Sequence, residues 1–185
     1  MPRAIPLNRL PAVCECGAHG WALLSRGFVT FFSPGKLPLV EGRVWSQANV
    51  GGKKKPQQYA VHARAGCNLT YMHRVLTGAE LPLLVDHKDG KGLNNFDNNL
   101  RPCTRSSNGQ NSRAHSDKQV PFKGVYERQG KFVASITPSA DEKLKHLGTF
   151  SCPIEAARAY DRAALGMHKS FALTNAMLGL IPATA

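Results

Sequence analysis

The chain has 185 residues, of which 24 are lysine or arginine and 12 are aspartate or glutamate, so its net charge is +12. This length fits one domain or two small ones, and the excess of positive charge favours nucleic acid as a partner before an anionic membrane. No apolar run approaches the ~20 residues of a membrane-spanning helix. The N-terminus lacks the apolar core of a signal peptide, so we expect a cytosolic protein with reduced cysteines.

The N-terminal segment predicts short strands after an irregular start. Cys14 and Cys16 suggest a metal site, but their C-x-C spacing is tighter than that of usual structural zinc sites, so local packing is favoured over zinc. A β-rich run at 28–32 and an alternating run at 43–50 predict strands. The basic segment at 51–56 that follows is either a phosphate contact or a solvated hairpin tip.

A second hairpin is predicted over residues 58–72, and a helical turn follows that ends at Gly78. His62 and His73 lie in these segments. Because a histidine in a strand is more often structural than catalytic, neither receives a chemical role.

The stretch from residue 84 to residue 114 carries the most information. Asp86 and His87 stand where a short apolar run breaks into a polar loop. Asn99 precedes a return to extended structure, and Asn108 lies in a polar stretch that can form a helix. Successive strand residues point to opposite faces, so Asp86 and His87 share one site only if the strand bends there. The Lys-Asp-Gly turn that follows them suits such a bend.

These four side chains are the groups needed to hydrolyse a phosphodiester with one divalent metal ion. Asp86 offers an anionic oxygen ligand for Mg²⁺ or Mn²⁺, and Asn108 offers a neutral one. His87 can take a proton from the attacking water, and the amide oxygen of Asn99 can orient its ring. Each residue alone is an ordinary turn or structural residue. The full set, in this order and in a basic protein, favours catalysis.

The C-terminal region predicts a three-stranded antiparallel sheet with one packed helix. The strands are predicted at 124–128, 131–137 and 145–150, separated by turns. The middle strand alternates strictly, with Phe132, Ala134 and Ile136 on one face and the residues between them on the other. An alanine-rich helix over 154–165 covers one side of this sheet, so its other face stays open.

The stretch V-D-H-K-D-G-K-G-L-N-N-F-D-N-N-L-R-P-C-T-R-S-S-N resembles the HNH motif of phage-type homing endonucleases. The resemblance implies a ββα-metal module with one Mg²⁺ or Mn²⁺ ion per active site. It implies that Asp86 and Asn108 are metal ligands, that His87 is the general base and that Asn99 orients it. It also suggests a phage or mobile-element origin, and hence the cytoplasm of a bacterial or phage-infected cell.

The second half resembles plant ethylene-response (APETALA-type) DNA-binding domains. The resemblance rests on K-G-V-Y from Lys123, G-K-F-V-A-S-I from Gly130, L-G-T-F from Leu147, E-A-A-R-A-Y-D from Glu155, and Asn175. It implies that the open sheet face enters the major groove of DNA. The contact positions would be Tyr126, Arg128, Ser135, Thr137, Leu144 and His146. Several of these are arginine or tryptophan in the plant domains, so base preference is not carried over. Alternatively, the small sheet only braces the nuclease.

Together these motifs predict an α+β protein in four parts. N-terminal strands at 1–56 lead into a nuclease module at 57–116, then a DNA-binding domain at 121–177 and a tail at 178–185. We expect a metal-dependent, site-directed endonuclease that acts on double-stranded DNA as a monomer or homodimer. Arg101, Arg105 and Arg113 are expected to bind phosphates, with solvated surface arginines as the alternative. The rival functions are a DNA-binding regulatory protein with an inactive nuclease module and an RNA-processing nuclease.

Overall fold

The computed structural model describes residues 10–51, 56–63, 68–111 and 120–182. The fold is α+β, with several small sheets and few helices. The chain divides into two compact units, Met1–Cys103 and Thr104–Ala185, called the first and second units below. This division differs from the sequence-based one, because strands on the two sides of residue 57 pair in one sheet and because the Asn108 segment groups with the C-terminal region.

Within its described residues, the first unit contains nine short strands and two short α-helices. In chain order these are β1 (Ala12–Val13), β2 (Gly20–Leu23), β3 (Val29–Phe32), α1 (Leu37–Val40), β4 (Ser46–Val50), β5 (Gln57–His62), β6 (Thr70–Tyr71), α2 (Met72–Thr77), β7 (Leu84–His87), β8 (Asn94–Asn95) and β9 (Leu100–Cys103). One sheet has the order β1-β2-β3-β8, with β3 and β8 parallel. A second has the order β4-β5-β6, and β7 pairs with β9 antiparallel.

The core of the first unit packs around large apolar side chains. Trp45, Phe32 and Met72 are fully buried, and the Trp45 Nε1–H donates to the Val40 carbonyl at 3.0 Å. Burying such side chains stabilises a fold by about 1.5–3 kcal/mol each. The helical turn predicted before Gly78 is confirmed as α2. Gly78 ends this helix in the left-handed conformation that glycine adopts readily. This core supports β7 and β9, which carry the central motif.

The second unit contains α3 (Arg105–Gln110), β10 (Val125–Arg128), β11 (Lys131–Ile136), β12 (Lys145–Phe150) and α4 (Pro153–His168). The three strands form an antiparallel sheet in chain order, and α4 packs on it, so the predicted sheet and helix are confirmed. Ala156, Ala157 and Ala164 are fully buried, because small side chains let the helix lie close to the sheet. None of the helices in the described ranges is long and apolar enough to cross a membrane.

A buried set of polar groups ties the C-terminal segment of the second unit to its sheet. The Asp161 carboxylate accepts from the Asn175 N–H, the Asn175 side-chain amide and the Ala176 N–H at 2.7–3.0 Å. The Asn175 amide also bonds both ways with the Lys123 backbone. Because Asp161, Asn175 and Lys123 are buried and satisfy one another's hydrogen-bonding groups, the set has a structural explanation: it holds the C-terminal segment against the sheet.

Candidate functional site

Asp86 lies in an ion pair inside the first unit. Antiparallel β7 and β9 place Asp86 directly opposite Arg101, and the Asp86 Oδ2 atom accepts from Arg101 Nε at 2.7 Å and lies 2.6 Å from Arg101 Nη2. Asp86 is only 7% exposed. Arg101, which was predicted to bind phosphate, therefore faces the carboxylate of its cross-strand neighbour. Such a buried charge-assisted pair is stronger than a hydrogen bond between two neutral groups and fixes the orientation of the Asp86 carboxylate.

His87 lies in a cluster of aromatic rings beside Asp86. Its ring centroid is 5.2 Å from that of His73 and 5.8 Å from that of Tyr59, and Tyr71 packs against His73. Burial lowers the pKa of His87, against the opposing effects of Asn95, Asp89 and Asp86. A buried, neutral imidazole has the protonation state that a general base needs.

His73 has the more strongly shifted pKa of the two histidines. Burial first, and then repulsion by His87 and Arg74, lowers its pKa from 6.5 to about 3. Its Nδ1 atom is buried without a hydrogen-bond partner among the described residues. His73 is therefore neutral and adjoins the candidate site, although its sequence position alone gave no reason to assign it a role.

Asn99 braces the loop after His87. Its Nδ2 donates to Asp89 Oδ1 at 3.0 Å and to the Asn94 carbonyl at 2.7 Å, and its Oδ1 accepts from the Asp89 N–H at 3.1 Å. The amide that bonds the His87 ring is instead that of Asn95, whose Oδ1 lies 3.2 Å from His87 Nε2. The predicted orienting contact thus comes from a neighbouring asparagine, because Asn99 points into the turn.

Asn108 lies on α3, whose N-cap Thr104 accepts from the Ser107 N–H at 3.2 Å. Within the second unit this helix is held by three bonds: Lys123 Nζ donates to the Gln110 carbonyl, Gln110 Nε2 to the Pro138 carbonyl, and the Ala140 N–H to Ser106 Oγ, at 2.7–2.8 Å. Asp86 belongs to the first unit, so a metal ion shared by Asp86 and Asn108 stays a prediction.

The described residues contain no group of three or more His, Cys, Asp or Glu side chains that could hold a metal ion. The donors Asp86 and Asn108 are both oxygens, which is the kind that Mg²⁺ and Mn²⁺ prefer. The residue types thus fit such an ion.

The segment with Cys14 and Cys16 was considered as a zinc site. The sulfur of Cys16 lies 3.2 Å from His19 Nδ1, and the pKa of the Cys16 thiol is lowered to about 7, chiefly by a backbone hydrogen bond from Ala18.

One face of the second unit's sheet is an exposed polar surface. A shallow groove of about 310 Å³ lies on it, lined by Tyr126, Arg128, Gln129, Lys131, Val133, His146 and Thr149. Of the predicted DNA contacts, Tyr126, Arg128, Thr137, Leu144 and His146 are exposed. Lys131 and Thr149 were not predicted, although their strand positions beside Arg128 and Val133 follow once the register is known.

Ser135, another predicted contact, is only 8% exposed, so little of its side chain is open to a partner. Ala134 pairs with Gly148 and Ser135 pairs with His146, so the extra residue of this bulge, Leu147, lies on β12 and the alternation predicted along β11 is kept. Because residues directly opposite each other share a face, Ser135 lies on the same side of the sheet as the exposed His146. Among the predicted phosphate contacts, Arg105 is exposed and Arg113 lies outside the described residues.

Comparison with known proteins supports the resemblance of the C-terminal region. A part of the chain is similar to an ethylene-responsive transcription factor-like protein of Arabidopsis thaliana, with 36% identity over 80 residues, covering 42% of this chain and 34% of that protein. It is also similar to ethylene-responsive transcription factor FZP of Oryza sativa subsp. japonica, with 42% identity over 65 residues, covering 35% of this chain and 20% of that protein. No protein-family model matches the chain.

The chain thus matches 34% and 20% of the length of these two relatives. The similarity supports an APETALA-type part, and it gives no support to the nuclease motif. The two candidate sites therefore stand on different grounds. Similarity to known proteins supports the part of the chain that contains the sheet face, whereas the His87 cluster is supported only by its residues and their geometry.

Proposed function

We propose that the chain is a DNA-binding regulatory protein whose second unit contacts double-stranded DNA through the exposed face of β10, β11 and β12. The observation that carries the proposal is the groove on that face, which presents Arg128, Lys131 and His146 around Tyr126. The similar plant proteins are named transcription factors, which supports a regulatory role. The net charge of +12 is also suited to a polyanion.

The physical argument is one of shape and charge. The major groove of DNA is wide enough for a small sheet, and base edges there offer donors and acceptors that side chains can read. Arg128 and Lys131 pair across β10 and β11, so two cations lie at one end of the sheet face. We expect them to bind phosphates and position the sheet, and we expect Tyr126, Thr149 and His146 to approach the bases.

The test is duplex binding by fluorescence anisotropy over a series of salt concentrations. Arg128→Ala removes one phosphate contact and should lower the slope of log K against log salt by about 0.9. Arg162→Ala is the matched control, because Arg162 is exposed on α4, the helix that packs against the sheet. Equal slopes for the two variants would contradict the proposed face.

A second candidate function is metal-dependent DNA cleavage by the first unit, and the His87 cluster is the observation that favours it. His87, a buried imidazole that is 4% exposed and whose pKa is lowered by burial, follows the buried Asp86, which pairs with Arg101, at the end of one strand. Perturbed titratable groups of this kind gather at functional sites more often than elsewhere. The proposed chemistry is hydrolysis of a phosphodiester bond.

In this candidate reaction each residue has a limited task. Asp86 would be a ligand of a Mg²⁺ or Mn²⁺ ion, which when bound would offset negative charge on the phosphate. Arg101 orients the Asp86 carboxylate through its hydrogen bond. His87 accepts the proton of the attacking water. Asn99 and Asp89 hold the turn that follows His87 in place.

Supercoiled plasmid with Mg²⁺ tests cleavage directly. His87→Ala should lower the cutting rate by about 10²–10⁴ while DNA affinity stays near the wild-type value, because the imidazole acts on water. His19→Ala is the matched control, since His19 is exposed and lies outside the cluster. A wild-type protein that binds the plasmid and leaves it uncut would favour the regulatory function alone.

A further inference from the structure

Three hydrogen bonds lead from the Leu93 carbonyl to the His87 ring. Thr30 Oγ1 donates to the Leu93 carbonyl at 2.8 Å, Asn95 Nδ2 donates to Thr30 Oγ1 at 2.8 Å, and Asn95 Oδ1 lies 3.2 Å from His87 Nε2. Thr30 and Asn95 are 0% and 1% exposed. They sit on β3 and β8, which pair in parallel within one sheet. The series of bonds is therefore part of the sheet.

The direction of each bond follows from the inventory of donors. A carbonyl oxygen only accepts, so the single hydroxyl hydrogen of Thr30 points to Leu93. The Thr30 oxygen then offers only lone pairs to Asn95, so the amide nitrogen of Asn95 faces Thr30 and its amide oxygen faces His87. That oxygen also only accepts. The neutral His87 ring therefore carries its proton on Nε2, and Nδ1 has the lone pair.

We propose that Thr30 and Asn95 are positioning residues that fix the tautomer of His87, so that Nδ1 is the atom that takes a proton. The catalytic half of this inference rests on the proposed nuclease function. Which nitrogen is protonated is set by the bond that the other makes, and a ring held in the wrong tautomer cannot act as the base. Thr30 comes from the N-terminal strands, so the HNH-like stretch alone does not contain all the groups that prepare His87.

Nuclear magnetic resonance of the full chain with ¹⁵N-labelled histidine tests the tautomer directly, because protonated and unprotonated ring nitrogens resonate far apart. Comparison with His87→Gln assigns the His87 signals. In the wild type we expect a neutral ring protonated on Nε2. Thr30→Val keeps the side-chain shape but removes the hydroxyl. The Asn95 amide then loses its anchor and can rotate, so a ring protonated on Nδ1 should appear.

Two further variants separate this effect from simple damage to the fold. Thr30→Ser keeps the hydroxyl and should restore the wild-type tautomer. Asn95→Asp in the Thr30→Val background places a carboxylate beside Nε2, and because both of its oxygens accept, rotation cannot offer a donor. This double variant should also be protonated on Nε2. A wild-type ring protonated on Nδ1, or a Thr30→Val ring with the wild-type tautomer, would overturn the inference.

Plasmid cutting by the same proteins tests the catalytic half. An even split of the two tautomers should halve the rate, and the rate should follow the share of Nε2-protonated ring through the series. If the wild type does not cut DNA, the nuclease proposal fails, while the tautomer measurement still decides whether Thr30 and Asn95 set the ring. A tautomer that changes while the cutting rate stays constant would refute the link to catalysis.

Discussion

The two units use their buried polar groups in opposite ways. In the second unit, Asp161, Asn175 and Lys123 satisfy one another and close the fold, and the exposed sheet face is left for a partner. In the first unit, two histidine rings lie 5.2 Å apart with lowered pKa values beside the buried Asp86. Polar groups that satisfy one another's hydrogen bonds are explained by the fold alone, whereas buried titratable groups with shifted pKa values gather at functional sites more often than elsewhere.

The largest expected effect tests the claim that the polar set of the second unit is structural. Asp161→Ala leaves three N–H groups of residues 175 and 176 without their acceptor in a buried site. We expect a loss of about 3–5 kcal/mol in the free energy of unfolding of the second unit. Far-UV circular dichroism during urea unfolding measures it, since α4 is the longest described helix.

Tryptophan fluorescence supplies the internal comparison, because Trp21 and Trp45 both belong to the first unit. The fluorescence midpoint should move much less than the dichroism midpoint. Asp141→Ala, at an exposed position, is the control and should leave both unchanged. A second unit that keeps its stability in Asp161→Ala would mean that this set is not the closure we describe.

The same contrast explains what the sequence could and could not predict. The strands and helix of the second unit follow from local alternation, turn residues and the alanine-rich run, and the structure confirms them. The parallel pairing of β3 with β8 joins residues more than sixty positions apart, and no local pattern specifies it.

The candidate site shows the same limit. The set Asp86, His87, Asn99 and Asn108 was recognised from its order along the chain. The ion pair of Asp86 with Arg101 depends on the register of β7 with β9, which the sequence does not state. The contact of Asn95 with His87 depends on how the intervening turn folds. Residue types were therefore predictable, whereas their partners required the three-dimensional pairing.

The second prediction concerns the stability of the first unit at acid pH. It tests whether keeping the buried His73 ring neutral lowers that stability as the pH falls. The pKa of His73 falls from 6.5 in the unfolded chain to about 3 in the folded one, so between these values the unfolded state binds more protons. Stability is therefore lost as pH falls through this range. Allowing for partial exposure, the whole shift corresponds to roughly 3 kcal/mol, of which pH 5 should already remove a large part.

Urea midpoints from tryptophan fluorescence at pH 7, 6 and 5 measure this loss. His73→Phe keeps a ring and cannot titrate, so its stability should change less over the same interval. His19→Phe, at an exposed position, should keep the wild-type slope. Asp89, whose pKa is lowered from 3.8, contributes only at more acid pH, so it does not confuse the comparison. A first unit indifferent to pH over this interval would contradict neutral buried histidines.

The smallest expected effect is on the stability of the second unit when Lys123 is replaced. It tests whether Lys123 only stabilises the fold or also positions α3. Lys123 is buried, and burial lowers its pKa to about 8, so its charge is costly although its Nζ donates to the Gln110 carbonyl at 2.7 Å. Lys123→Met loses the bond and also the cost of desolvating an ammonium group. These contributions nearly cancel for many buried cations, so we expect a change below about 1.5 kcal/mol in the stability of the second unit.

The same substitution should have a clear local effect on α3, which carries Asn108. With one of its three described attachments removed, the amides of 105–110 should exchange hydrogen about tenfold faster, equivalent to ~1.4 kcal/mol. Lys143→Met, at an exposed position, is the control. Faster exchange without global destabilisation would indicate that Lys123 positions α3 and with it Asn108, as Thr30 is proposed to position His87 in the first unit. Unchanged exchange would leave Lys123 as part of the closure around Asp161 and nothing more.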